Sequence, residues 1–388
     1  MPCIIMQKGG FYMLVESLQL RQFRNYESLD FSFPEGITIF VGQNAQGKTN
    51  IVESVYYASL AKSHRTTKDG ELIRWESQQS AVRVGFSRLG VGNVIDLKFS
   101  RTKRRQILLN GHAVAPKSLV GSLTTVLFSP EDLYLVKGAP QLRRAFLDTE
   151  ISQTSPAYYR ELNKYNRLII QRNNLLKKIR EGEAGRDMLE LWDAQLAESA
   201  ARIAARRLET VNRLAMLGRL MQRRISGSLE NLEVSYDLHA PSGEAGPVLE
   251  PGRVTERLIP WYNEMLGKRQ ALDIMRGVTS VGPHRDDLKL SVNGVDLRVY
   301  GSQGQQRTGA LALKLSELEF IRGETGSYPV LLLDDVMSEL DPSRRKELLL
   351  FLQREKIQTI ITATDKAYFP SEEIGSFFAV RQGTVCPL

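Results

Sequence analysis

Gly42-Gln43-Asn44-Ala45-Gln46-Gly47-Lys48-Thr49 decides the fold. Its spacing is GxxxxGK[ST], a loop between a strand and a helix whose backbone N–H groups wrap phosphates while the Lys reaches the terminal ones. The flanks agree. Gly36-Ile37-Thr38-Ile39-Phe40-Val41 is a short β-branched run suited to a buried parallel strand, and the stretch from Asn50 to Tyr57 has helical spacing. Lys48 thus sits at a helix N-terminus, where the dipole and unpaired N–H groups already favour an anion. The bland alternative is a glycine turn that only joins strand to helix.

Working outward, the next nucleotide chemistry does not begin until Gly301-Ser302-Gln303-Gly304-Gln305-Gln306-Arg307 and Val330-Leu331-Leu332-Leu333-Asp334-Asp335. A strand as apolar as the second segment is buried on both faces, and its C-terminal end is where α/β sheets place ligands. There Asp334 is a candidate Mg²⁺ ligand opposite the Thr49 hydroxyl, and Asp335 a candidate to orient or deprotonate an attacking water. Alternatively the aspartates merely cap a helix expected around Pro342 to Leu352. The glycine-rich segment precedes a helix expected from Thr308 to Arg322, so a Ser hydroxyl and Gly N–H at its start form either a second anion site or a plain cap. One triphosphate does not need two such helix ends within one domain, whereas a dimer in which each copy closes over the other's nucleotide does.

Composition bounds the class. The chain has 388 residues, enough for two or three domains, with 42% hydrophobic and 25% charged residues as in ordinary globular proteins. No apolar run approaches a membrane span, and MPCIIMQKGGFYM is too short and broken for a secretory signal, so a cytoplasmic protein without a membrane partner is expected. Met13 is a candidate start, which would leave residues 1–12 as a leader. Cys3 and Cys386 are the only cysteines, which excludes a disulfide framework or a cysteine zinc cluster. Four His residues leave little for a metallonuclease centre. A net charge of +8 and a pI near 9.4 point to an acidic partner, nucleic acid first.

Along the chain, the segment from Met13 to Phe33 alternates like two antiparallel strands packed beside the nucleotide strand, and Val82–Ser100 and Gln106–Val114, with a tight turn at Asn110-Gly111, continue a β-rich lobe. From about Pro156 to Ile225 the composition changes to Leu, Arg, Glu and Asn. Leu162, Tyr165, Ile169, Leu176 and Ile179 alternate in steps of three and four, with Arg172 and Leu175 at the interrupted step. Glu183 lies in a Gly182–Gly185 stop, and Leu189, Trp192, Leu196, Ile203, Val211, Leu214, Met221 and Ile225 run back, predicting an antiparallel helical arm of about 40–55 Å at 1.5 Å per residue. A helical insertion packed flat on the body is the alternative. A Pro/Gly loop over residues 240–256 and a helix near Arg257–Gln270 follow.

Taken in order, the phosphate loop, a distant SxGQ signature, the carboxylate-ended strand and Ser338-Glu339-Leu340-Asp341 as a D-loop resemble the ABC-type ATPase head of SMC-like proteins, and within them the RecF family. The likeness includes FRNY at Phe23–Tyr26, SHRT at Ser63–Thr66, the block Ser129–Asp148, GPHRDDL at Gly282–Leu288 and LLLDDVMSELD at Leu331–Asp341. It implies an α/β fold, an ATPase head with a phosphate-loop sheet and β-rich lobe plus an antiparallel helical arm. The head's N-terminal part would span 13–128, the arm 129–280 and the head's C-terminal part 281–388.

The resemblance also implies ATP and Mg²⁺ as cofactors. Gly42, Gln43, Asn44, Ala45, Gln46, Gly47, Lys48, Thr49 and Asn50 would hold the phosphates, with the metal at Thr49 and Asp334. Ser302, Gly304 and Gln305 would meet the γ-phosphate from a second copy, and Arg24 and Asn25 would lie near the nucleotide. Lys48, Asp335 and Ser302 would be catalytic. Such proteins are implied to dimerise around ATP, to bind single- and double-stranded DNA at gap junctions, and to help RecR and RecO place RecA. The resemblance implies a weak, DNA-stimulated ATPase, and two departures from the wider ABC pattern point to slow hydrolysis. Asp335 stands where most ABC proteins carry Glu, and the stretch Gln358–Asp365 lacks the usual switch histidine, leaving Thr362 or Thr364. His64 and His284 are candidate supports of the site, or plain structural histidines. Arg101, Lys103, Arg104 and Arg105, with Arg202, Arg206, Arg207, Arg213, Arg219, Arg223 and Arg224 on the arm, are candidate phosphate contacts, against the reading of a solvated arm face. A transporter ATPase subunit and an SMC-like DNA tether are the competing readings.

Overall fold

The computed structural model describes residues 13–227, 230–250 and 252–388, so the candidate leader and Cys3 lie outside the described residues. Contacts divide the chain into two units. One takes the described residues up to Asp132, a short segment from Arg223, and Ala310–Leu388. The other takes Leu133–Gln222 and Glu230–Gly309. The second unit therefore runs past 280 and includes the signature segment, which the family resemblance assigns to the head's C-terminal part.

Two six-stranded sheets build the first unit. One carries, in order, Thr384–Pro387, Ser376–Arg381, Ile37–Val41, Thr359–Ala363, Val330–Asp334 and Thr125–Phe128, parallel except for the antiparallel edge made by Thr384–Pro387. Strands Ile37–Val41, Val330–Asp334 and Thr359–Ala363 are buried almost throughout, as the two-sided cover of a parallel sheet requires. The helix Lys48–Leu60 packs its apolar side, including Ile51, Val52 and Val55, into the core.

The other sheet is antiparallel, in the order Tyr26–Ser32, Met13–Phe23, Gln79–Arg88, Val91–Ser100, Gln106–Leu109, His112–Ala113. The two N-terminal strands do pair with each other as their alternation predicts. They pack against the nucleotide strand, with the Phe31 ring 5.2 Å from that of Phe40, but share no ladder with it: Met13–Phe23 bonds to Gln79–Arg88 in this separate sheet. Alternation leaves one polar face, which a doubly covered parallel sheet has no use for and a half-exposed antiparallel sheet does. One side chain ties the sheets together. Buried Gln358 accepts from Val15 N at 2.6 Å and donates to Val15 O at 2.8 Å. Asn110 (φ 52°) and Gly111 (φ 81°) form the tight turn their sequence predicts.

Helices dominate the second unit. Pro156–Arg180 begins on a Ser155 cap, and Leu189–Ile225 returns after Gly182 (φ 79°) breaks the first helix. Contacts run in opposite senses along the pair: Arg172 meets Asp193, Glu161 meets Ser199, and Tyr158 meets Arg207. Val254–Arg276 packs on the first helix, and a three-stranded antiparallel sheet, Val295–Asp296, Asp287–Val292 and Leu232–Asp237, completes the unit.

The interrupted step at Arg172 has a structural cause. Arg172 is fully buried, donating to Asp193 at 2.6 Å, to Asp273 at 2.7 Å and to Thr279 at 3.0 Å, so one guanidinium joins three helices. Breaking such a pair strands carboxylates in the interior, at about 3–5 kcal/mol. Arg172→Met is expected to lower urea stability by that amount, and adding Asp193→Asn and Asp273→Asn to recover a large part of it. Unchanged stability in Arg172→Met would show that the charges are not energetically coupled.

Candidate nucleotide site

Parallel register assembles the site. Asp334 lies opposite Thr362, and Thr362 opposite Phe40, one residue short of the loop. With strands about 4.8 Å apart, the carboxylate ends two strands from the chain entering the loop, within reach of the first turn of the helix Lys48–Leu60. Thr49 Oγ1 donates to Asp334 Oδ1 at 2.8 Å, and Thr362 Oγ1 donates to the same oxygen at 2.7 Å. Thr362 Oγ1 also accepts from Asp335 N at 2.9 Å. Of the two threonines open at the switch position, Thr362 therefore touches both carboxylate residues, while Thr364 bonds to Tyr368 at 3.5 Å.

The loop's shape follows from two glycines. Gly47 has φ 112°, and a Cβ there would fall 2.6 Å from Asn25 Nδ2 and 2.9 Å from the Tyr26 hydroxyl. A Cβ on Gly42 would collide with Val380 O. The FRNY turn thus lies directly against the loop. Asn25 donates to Gln46 O at 3.1 Å and accepts from Asn50 at 2.7 Å, and Tyr26 donates to Gly47 O at 3.1 Å. Gln46 is further braced by the C-terminal hairpin, accepting from Gln382 N at 2.8 Å through its side chain.

Lys48 is buried and donates to Gly42 O at 2.6 Å and Gln43 O at 2.8 Å, which holds the ammonium over the loop. Burial lowers its pKa, opposed by the charges of Asp335 and Asp334. Asp335 sits in the left-handed region at φ 53°, and its Oδ1 is buried without a hydrogen-bond partner. Burial raises its pKa, Lys48 pulls it down, and Asp334 and Glu339 push it up. A strained carboxylate lacking a donor and close to a cation is the pattern of a group kept for a ligand or a water.

Arg24 does not stand free. It forks onto fully buried Glu53 at 2.6 and 2.9 Å and donates to Glu71 O at 2.9 Å. Glu53 also accepts from Ser63 at 2.6 Å and pairs with Arg65 at 3.4 Å, so the FRNY and SHRT blocks meet on one carboxylate. Burial alone would raise the Glu53 pKa; the Arg24 and Ser63 hydrogen bonds and the two guanidinium charges bring it below the usual value. Sequence reading missed Glu53 and Arg65. The available signal was an ionisable residue among Ile51, Val52 and Val55 on a helix face bound for the core.

The histidines divide. His64 lies edge-on to Tyr56, with a buried Nδ1 that has no partner, and burial lowers its pKa. His284 belongs to the second unit, bonded to the Tyr165 hydroxyl at 2.5 Å and to Thr279 O at 3.1 Å, and burial takes its pKa down to about 4. It is a neutral structural ring. At the signature, Ser302 and Gln305 cap each other: Ser302 N donates to Gln305 Oε1 at 3.0 Å and Gln305 N to Ser302 Oγ at 3.2 Å. This capping box starts the helix Gln303–Thr325, with Ser302 and Gly304 exposed.

Several candidate phosphate contacts are already engaged. Arg207 is buried, forked onto Asp148 at 2.8 and 2.9 Å and donating to Pro283 O at 2.6 Å. Arg202 pairs with Glu198 and Glu161, Arg206 with Glu209, and Arg224 lies over the Phe351 ring. Arg105 donates to Ala61 O at 2.6 Å and pairs with Asp69 at 3.3 Å. Arg207 and Arg105 hold the fold together, which corrects their reading as surface cations.

The RecF/RecN/SMC N-terminal domain family matches residues 14–384. The DNA replication and repair protein RecF of Halothermothrix orenii is 42% identical over 96% of this chain and 98% of its own. That of Heliobacterium modesticaldum is 43% identical over 94% and 95% respectively. A solved structure of the recombination mediator protein RecF with ATP, in the RecFOR pathway, aligns with a TM-score of 0.88 at 37% identity, covering 98% of this chain and 99% of that one. An Smc head domain from Pyrococcus furiosus, 16% identical with a TM-score of 0.55, shares the fold. With its ABC-type head and helical arm, the chain belongs to the RecF/RecN/SMC family, among relatives that are DNA replication and repair proteins.

Proposed function

We propose that this chain is an ATP-dependent DNA-binding protein of recombinational repair and replication, acting as a homodimer that closes around ATP. One observation carries the reading: Lys48, Thr49, Asp334, Asp335 and Thr362 converge at the strand ends beside a phosphate loop. The names of its relatives, and the ATP complex of one of them, support ATP as the ligand. The hydroxyl of Thr49 and the carboxylate of Asp334 are hard oxygen donors in contact with each other, a set that fits Mg²⁺. When bound, Mg²⁺ would neutralise charge on the β- and γ-phosphates.

The chain's own groups do the rest. Loop N–H groups from Gln43 to Thr49 bind phosphate oxygens, and Lys48 exchanges the carbonyls of Gly42 and Gln43 for the γ-phosphate. Asp335 orients the attacking water and takes its proton. Thr362 fixes both the Asp334 carboxylate and the Asp335 backbone, acting as the residue at the switch position. Ser302, Gly304 and Gln305 of a second copy close over the γ-phosphate, exchanging their mutual cap for the ligand. An aspartate base and the absence of a switch histidine make hydrolysis slow, so ATP times the dimer more than it drives it, with DNA raising the rate. The DNA partner is a gap or single-strand/double-strand junction, and RecR, and through it RecO and RecA, are the protein partners. No helix among the described residues is long and apolar enough to cross a membrane, which is compatible with a cytoplasmic protein.

In sedimentation experiments, ATP is expected to dimerise the wild type but not Lys48→Met or Ser302→Arg, with ADP leaving all three monomeric. Equal monomer content throughout rejects the ATP dimer. Asp335→Asn should still dimerise with ATP while hydrolysing it on the order of 100-fold more slowly in a single turnover. Because burial raises the Asp335 pKa, the acid limb of the wild-type rate should lie above the ordinary aspartate range and disappear in the Asn variant. Hydrolysis at the wild-type rate in Asp335→Asn would assign the base elsewhere.

A further inference from the structure

The antiparallel sheet carries a second feature that the nucleotide site does not use. Register aligns Arg21 with Ala81, Ala81 with Lys98 and Lys98 with Gln106 across four neighbouring strands. Their neighbours Ser80, Val82, Leu97, Phe99 and Ile107 are buried, so this row lies on the outward face of the pleat. Ala81 is the small member between two cations, and the row floors a groove of about 510 Å³ whose walls include Lys103 and Arg104. Arg21 is neutralised by Asp30 at 2.8 Å. Lys98, Lys103 and Arg104 are exposed, and among the described residues their side chains make no hydrogen bond or ion pair.

Next in the chain to Arg74, whose N–H bonds to Gln22 of the groove wall, is Trp75, 87% exposed. A lone exposed aromatic needs no explanation, but this one sits on a fixed loop. Arg74 N donates to Gln22 O at 2.8 Å, Ser77 Oγ to Gln22 Oε1 at 2.8 Å, and Arg101 Nε to Ser77 O at 3.0 Å. Gln22 is itself a wall of the groove. Three unengaged cations in a channel, with an exposed aromatic residue on the braced turn bonded to its wall, are the elements that bind single-stranded nucleic acid: charge for the backbone and a platform for a base. Duplex DNA needs only the charge, because its bases stay stacked.

We propose that this groove binds the single strand leaving a DNA junction, with Lys98, Lys103 and Arg104 on its phosphates and Trp75 stacked on an unpaired base. The inference rests on the DNA-binding reading above and adds the site and the strand it takes. Among the described residues the 87% exposed Trp75 makes no hydrogen bond or ring contact with the nucleotide loop, so its replacement leaves DNA-independent ATPase activity unchanged.

The test compares wild type, Trp75→Ala, Trp75→Phe and Lys98→Glu/Lys103→Glu on blunt duplex and on the same duplex with a single-stranded overhang, by fluorescence anisotropy at two salt concentrations. Trp75→Ala should bind the overhang substrate about tenfold more weakly and the blunt duplex as before. Trp75→Phe should restore most of the loss. The double Glu variant should weaken overhang binding and flatten its salt dependence. Wild-type overhang affinity in Trp75→Ala, or an equal loss on blunt duplex, overturns the stacking site while leaving DNA binding intact. Failure of the wild type to bind either DNA at low salt overturns both.

Discussion

The hydrogen bond from Thr49 to Asp334, 2.8 Å long and joining residues 285 apart in the chain, is the contact on which the nucleotide unit depends. It exists because three parallel strands end level with one another, and because the first turn of one helix covers their ends. Remove the register and the loop lysine, the hydroxyl and the two carboxylates become unrelated surface groups. Thr362 locks the arrangement from the intervening strand by bonding the Asp334 side chain and the Asp335 backbone at once. Asp335 stands beside it in a left-handed conformation, its Oδ1 buried without a hydrogen-bond partner.

Buried charge recurs as the means of fixing geometry. Glu53 collects Arg24, Ser63 and Arg65 beneath the nucleotide loop, Arg172 collects three helices, and Arg207 collects Asp148, Tyr158 and the Pro283 carbonyl. Such clusters add little net stability over apolar packing, but each is costly to break and has few geometries that satisfy all its members. In the nucleotide unit the consequence is functional: the Glu53 cluster sets where the FRNY turn lies, and the turn sets the shape of the loop through Asn25 and Tyr26.

Much of this was legible in the residues. The strand, loop and helix around Gly42–Thr49, the carboxylate-ended strand, the helical pair and its turn all follow from periodicity and glycine placement, which are local. The roles of arginines were not legible. Arg105 and Arg207 look like their exposed neighbours in sequence, yet they bond to a helix-end carbonyl and, in the case of buried Arg207, to the half-buried Asp148 carboxylate. Side-chain charge is a property of the residue, whereas its partner depends on which distant segment the fold brings near.

The sequence by itself determined that the chain carries a phosphate-loop motif at a helix start, that it has a split set of nucleotide motifs and that it carries a long helical pair. These rest on spacing within a few residues, where backbone geometry leaves little choice. Only the tertiary structure decided that the N-terminal strands leave the nucleotide sheet, that Thr362 and not Thr364 meets the carboxylates, and that Arg24 and Arg65 share Glu53. Those outcomes depend on strand register and on burial of charge, and both are settled by contacts between segments that no local pattern connects.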